Sequence, residues 1–155
     1  MKKLVLLFSV NIFIIFSAIY LTEKVTAGNT KGNVMKIRLI FNDTVLTATI
    51  YDNPTARDFV SLLPLTLDLE DYAGTEKISK LSRKLSLKDA PSGSDPFAGD
   101  ITYYSPWGNL AVFYRDFGYA DGLIILGKID SDMKYFEKWK GSKTVKIELI
   151  NPDYK

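Results

Sequence analysis

The chain has 155 residues, with 20 Lys and Arg against 18 Asp and Glu, 46% hydrophobic residues, and neither Cys nor His. That composition suits a single globular domain. The missing Cys and His exclude Cys/His zinc sites, Ser-His-Asp and Cys-His nucleophile systems and thiol redox chemistry, so any chemistry falls to carboxylates, Lys, Arg, Tyr, hydroxyls or backbone.

Lys2 and Lys3 precede an apolar run from Leu4 to Leu21, which polar Thr22-Glu23-Lys24 and the small-x-Ala sequence Val25-Thr26-Ala27 follow. Residues 1–27 therefore read as a secretory signal, and the length of the apolar run also fits an uncleaved membrane anchor. In both cases the basic end stays cytoplasmic and the remainder crosses the membrane, so the domain is expected to be exported, to the periplasm or beyond. Without Lys2, Lys3, Lys24 and Glu23 the rest of the chain carries 17 basic and 17 acidic residues. The formal charge of +2 thus belongs to the N-terminus, and neither charge nor motif points to nucleic acid. Residues 28–34 read as a tether, 35–150 as the domain and 151–155 as a tail.

From Met35 to Phe41, apolar residues alternate with polar ones; Asn42-Asp43 then turns the chain into the β-branched segment Thr44 to Tyr51, which predicts a hairpin. Asn53-Pro54 is a helix start, with Asn53 as cap, Asp58 in the first turn, Phe59, Leu62 and Leu63 as the apolar stripe and Pro64 as the stop. Leu65, Leu67 and Leu69 form the inward face of a third strand, and Tyr72-Ala73-Gly74 is a bend. Between Lys77 and Leu87, helix and irregular strand compete. Pro91, Gly93, Pro96 and Gly99 mark residues 90–99 as a surface loop. Two strands, Asp100–Tyr104 and Asn109–Tyr114, are joined through Ser105-Pro106-Trp107-Gly108 as a second hairpin. A loop from Arg115 to Gly122 leads to a buried strand, Leu123–Ile129. Asp130-Ser131-Asp132 then supplies cap and first-turn acids for a helix presenting Met133, Phe136 and Trp139 on one face. Thr144–Ile150 closes the domain with Val145, Ile147 and Leu149 inward. Seven or eight strands with two helices and no βαβ rhythm favour a closed antiparallel barrel, a mainly β fold.

This order of elements resembles the cyclophilin barrel over roughly residues 35–150. Phe97-Ala98-Gly99-Asp100-Ile101-Thr102 is similar to that family's Q-G-G-D-F-T segment. Asp121-Gly122, then Leu126-Gly127-Lys128-Ile129-Asp130 ahead of a helix, is similar to its D-G-x-H-x-V-F-G-x-V stretch. Asp71 to Lys77 and Gly99 to Leu110 look more closely like bacterial cyclophilin-like fold proteins. Cyclophilin peptidyl-prolyl isomerases use an Arg in an F-H-R motif, a Gln, a Phe/Met pocket, a Trp and a His. Here the F-H-R motif is absent, Phe97 falls at the Gln position, Tyr119 falls at the Trp position and the His has no counterpart. The resemblance therefore implies the fold more than the active site.

Seven aromatic residues lie between Tyr103 and Tyr119, and strand alternation sends about half of them to the core. Trp107, in a turn, and Tyr119, in a loop, are candidates to line a groove. With Tyr72, Glu76 and Phe97 they make up the candidate ligand-binding residues, for a peptide or small molecule. Arg83 and Arg115 are the candidates to replace the missing Arg if the chain is a divergent isomerase. Asp68 and Glu70, one pleat apart, read as solvated carboxylates. Capping accounts for Asp130 and Asp132, so no metal and no cofactor are expected, and the domain is expected to be a monomer.

Overall fold

The computed structural model describes residues 34–150; the expected signal, all of the tether except Val34, and the tail lie outside them. Ten strands and two helices follow in the order β1 (Met35–Ile40), β2 (Val45–Ile50), α1 (Pro54–Val60), β3 (Leu65–Tyr72), β4 (Glu76–Lys80), β5 (Gly93–Ser94), β6 (Asp100–Tyr104), β7 (Asn109–Phe113), β8 (Ala120–Asp121), β9 (Leu123–Ile129), α2 (Lys134–Lys138) and β10 (Lys143–Leu149). Eight of the strands close an antiparallel barrel in the order β1-β10-β3-β4-β7-β6-β9-β2, and β5 pairs with β8 in a separate two-stranded sheet. Closure leaves the barrel without a sheet edge open to another chain.

Alternation along each strand fills the interior. Ile37 and Leu39 from β1, Ile50 from β2, Leu69 from β3 and Ile101 and Tyr103 from β6 are fully buried, as are Leu110, Leu126 and Ile147 from β7, β9 and β10. The helices add Ala56 and Phe59 from α1 and Phe136 from α2 to the same core. Phe41, Tyr135, Phe136 and Trp139 pack ring against ring, with centroids 5.0–6.1 Å apart, so α2 is held by aromatic contacts rather than by its own length of five residues.

Several elements depart from the sequence pattern. Asn53 caps α1 through Oδ1, which accepts from Ala56 N at 2.8 Å, but Asp58 is not in the first turn. Its carboxylate instead accepts from Arg83 and from Ser86 N. The helix ends at Val60, ahead of Pro64, and Leu62 and Leu63 are only half-buried. At α2 the two expected acids part: Asp132 Oδ1 accepts from Lys134 N at 3.0 Å, at the helix start, while Asp130 accepts from Lys36 Nζ and Thr49 Oγ1, tying the end of β9 to β1 and β2. The N-cap is Met133, which makes no side-chain capping bond. Residues 77–87 resolve into the end of β4 followed by irregular chain, because Lys77 and Ile78 complete ladders on both sides of β4. The loops 90–99 and 115–122 each contain a two-residue strand, which pair as β5 and β8. Leu149 is exposed rather than inward.

Candidate binding pocket on the outer barrel face

β6 and β7 are almost completely buried along their whole length, although a barrel strand turns only alternate residues inward. The outward residues are covered as well, by the turn at Pro106-Trp107 and the loop 114–120. On this outer face Ala111, Phe113 and Leu123 form a second apolar cluster, separate from the barrel core, with Ile78, Tyr104 and Ala120 packed against it.

Between this sheet and its cover lies a cavity of about 190 Å³. Strand register assembles it. Glu76 on β4 stands opposite Tyr72 on β3 and Phe113 on β7, while Tyr104 on β6 pairs with Asn109 on one side and with Leu123 on the other. Tyr72, Tyr104, Trp107, Phe113 and Phe117 give the cavity five aromatic rings. Trp107 stands edge-on to Tyr72, with centroids at 5.5 Å, and to Tyr104, at 5.4 Å. The indole is nonetheless 52% exposed, held at the rim by ring contacts instead of being buried beneath them.

Two polar side chains line the cavity in addition to the Tyr72 and Tyr104 phenols. The carboxyl of Glu76 is pushed up to about 7 by burial alone, because no ion pair or hydrogen bond among the described residues offsets its lost hydration. Asn109 is buried; its Nδ2 donates to Leu110 O at 3.3 Å, and its Oδ1 has no hydrogen-bond partner among the described residues. A buried acceptor without a donor costs free energy unless something fills it. Among the described residues no Lys or Arg lines the cavity.

The structure thus brings together three of the candidate residues, Tyr72, Glu76 and Trp107, and places the others elsewhere. Tyr119 is exposed and its hydroxyl hydrogen-bonds Ser92 Oγ at 2.9 Å, beside β5. Phe97 is exposed, in a turn where its N–H donates to Asp100 Oδ2 at 2.8 Å. Arg83 is held by a two-pronged pair with Asp58, at 2.7 and 2.9 Å, and by Ser61 Oγ at 3.1 Å. Arg115 stacks over the Tyr114 ring at 5.8 Å and faces a different surface cleft, beside Asp71 and Glu137. Asn109, Phe113 and Phe117 join Tyr72, Glu76 and Trp107 on the cavity wall. The apolar run Leu110 to Phe113, which has no polar face to give to solvent, is the signal that finds Phe113; Asn109 and Phe117 carry none.

A family model described as the Cyclophilin-like family matches residues 39–148. The chain belongs to the cyclophilin-like family. Among solved structures, this cyclophilin-like chain is similar to the hypothetical protein AF2241 from Archaeoglobus fulgidus, determined in solution, with a TM-score of 0.55 and 17% identity. The match covers 74% of this chain and 94% of the archaeal one, and at that identity it speaks to the fold alone. No curated protein matches the chain.

Proposed function

We propose that this cyclophilin-like barrel is a binding protein that takes a small molecule, or one side chain of a peptide, into the outer-face cavity, without catalysing a reaction on it. The observation that carries the reading is the pairing of a ring-lined cavity with two unsatisfied polar groups, the Glu76 carboxyl and Asn109 Oδ1. Such a site is concave and apolar, with a few polar groups to orient a ligand. A fragment screen read by the two tryptophan indole N–H signals of the full chain tests it. Fragments are expected to move the Trp107 signal and leave the Trp139 signal in place, and to lose affinity at least about ten-fold in Trp107→Ala. A library that moves neither signal at millimolar concentration defeats the proposal.

The isomerase alternative uses the same cavity but needs a donor to weaken amide resonance. Neither Arg83 nor Arg115 lines the cavity, which is why we favour binding. A proline-peptide isomerisation assay separates the two: turnover that Trp107→Ala abolishes reverses the preference. We further propose that residues 1–27 direct export, on the basic-apolar-small pattern described above; an intact mass showing loss of those residues supports cleavage, and an unprocessed mass in the membrane fraction supports the anchor.

A further inference from the structure

We propose that the ligand of the outer-face cavity carries an organic ammonium group, seated on Glu76 among the rings of Tyr72, Trp107 and Phe117. The inference rests on the binding reading above and narrows it to one chemistry. Aromatic rings carry a negative face, so a cavity walled by several of them can hold a cation against a ring face. Glu76 is the one formally charged side chain lining the cavity among the described residues, and it is acidic. Asn109 adds a second acceptor in the same wall. Its amide orientation follows from the bond that Nδ2 donates to Leu110 O, which leaves Oδ1 as the atom lacking a donor. The carboxylate therefore favours a positively charged, N–H-bearing group, the rings accommodate it, and the buried Asn109 Oδ1 behind the wall is a further acceptor.

The energetics of the site agree. Burial holds the Glu76 carboxyl near 7 because its negative charge has no counter-charge beside it, and an ammonium at hydrogen-bonding distance is the group that removes this cost. Among the described residues the Tyr72 and Tyr104 phenols are the other titratable groups on the cavity wall, and no lysine or arginine lines it to compete for Glu76. The cavity, about 190 Å³, holds roughly six waters, room for a small aryl- or alkyl-amine.

Benzylammonium and its neutral counterpart benzyl alcohol are the probes, titrated at about pH 8 into the full chain and read at the Trp107 indole signal. Benzylammonium is expected to bind at least ten-fold more tightly than benzyl alcohol, and Glu76→Gln is expected to abolish the preference. The Trp139 indole, which donates to Gly141 O at 3.0 Å, reports that each variant is folded. Tyr72→Leu serves as a second variant, expected to weaken benzylammonium more than benzyl alcohol. If benzyl alcohol binds as well as benzylammonium, or the preference survives in Glu76→Gln, the ammonium assignment is overturned while the cavity remains a binding site. If neither probe binds, the assignment also falls, and the fragment screen alone then decides whether the cavity binds anything.

Discussion

Lys77 Nζ donates to Asp71 Oδ1 at 2.6 Å with the lysine side chain 1% exposed. Lys77 is the immediate neighbour of Glu76 and points the opposite way, to the inside of the barrel, where it also donates to Trp139 O at 2.9 Å and lies over the Tyr114 and Trp139 rings. Asp71 is held below the ordinary carboxylate range by the hydrogen bond from Lys77 and by that from the Tyr114 hydroxyl. Removing the acid strands a buried ammonium, whereas removing the lysine leaves a carboxylate that water can reach. Asp71→Ala is expected to cost about 2–3 kcal/mol in urea denaturation, and Lys77→Met about 1 kcal/mol or less. Equal losses would show that the pair is not set by burial of the lysine.

Glu76 gives stability the opposite dependence on pH from an ordinary paired carboxylate. Its folded value of about 7 lies above its unfolded value of 4.5, so the folded state holds the proton more tightly. The cost of ionising it is absent below about pH 4.5, grows between 4.5 and 7 and is complete above 7. Glu76→Gln is therefore expected to stabilise the protein by about 1–2 kcal/mol near pH 8, allowing for water at the cavity mouth, and to be neutral near pH 4. Denaturation midpoints of the two proteins measured across that range check it; curves that stay parallel would contradict the burial of this carboxyl.

Asp58 behaves in the usual sense. The hydrogen bonds from Arg83 hold it down to about 2 against an ordinary 3.8, so its contribution is complete above about pH 4 and is lost as the pH falls toward 2. In Arg83→Ala the acid-induced loss of stability between those values is expected to be shallower than in the parent. Ligand binding in the cavity is expected to be unchanged, since Arg83 does not line it.

The β2–β9 seam closes the barrel, and Gly127 stands in it opposite Ile50. A methyl group on Gly127 would overlap Thr49 O and sit 2.9 Å from Ile50 Cα, both backbone atoms that cannot move without opening the ladder. Gly127→Ala is expected to cost more than about 2 kcal/mol in chemical denaturation. Gly74, where an added Cβ meets nothing within 4 Å, provides the contrast: Gly74→Ala carries only the strain of its positive φ and is expected to cost about 1 kcal/mol.

The barrel was legible in the sequence where alternation was strict. Leu123–Ile129 and Asp100–Tyr104 have the same bounds in the structure as in the pattern, and the β1–β2 and β6–β7 hairpins form as their turns imply. Legibility failed where a side chain's partner is remote in sequence. Asp58 and Asp130 both look like helix-end acids, yet their partners are Arg83 in one case and Lys36 and Thr49 in the other, contacts that only barrel closure creates. The two-stranded β5–β8 sheet was hidden for the same reason: two residues from each of two loops carry no periodicity. In the site, Tyr72 and Trp107 were marked by large rings next to turn residues. Asn109 carries no such mark, because nothing local distinguishes an asparagine whose carbonyl finds a donor from one whose carbonyl does not.

The turn between β3 and β4 sets which of two adjacent, oppositely charged side chains reaches the cavity. Ala73 and Gly74 both take positive φ, 51° and 65°, and Thr75 N closes the turn on Tyr72 O at 3.1 Å; this geometry fixes Tyr72 opposite Glu76. A slip of one residue in β4 would exchange its faces, sending the Lys77 ammonium out among the rings and driving the Glu76 carboxylate into the barrel. Two uncharged residues outside the cavity thereby decide the sign of the field inside it, and a change in the length of this turn would invert what the pocket attracts while altering none of its walls.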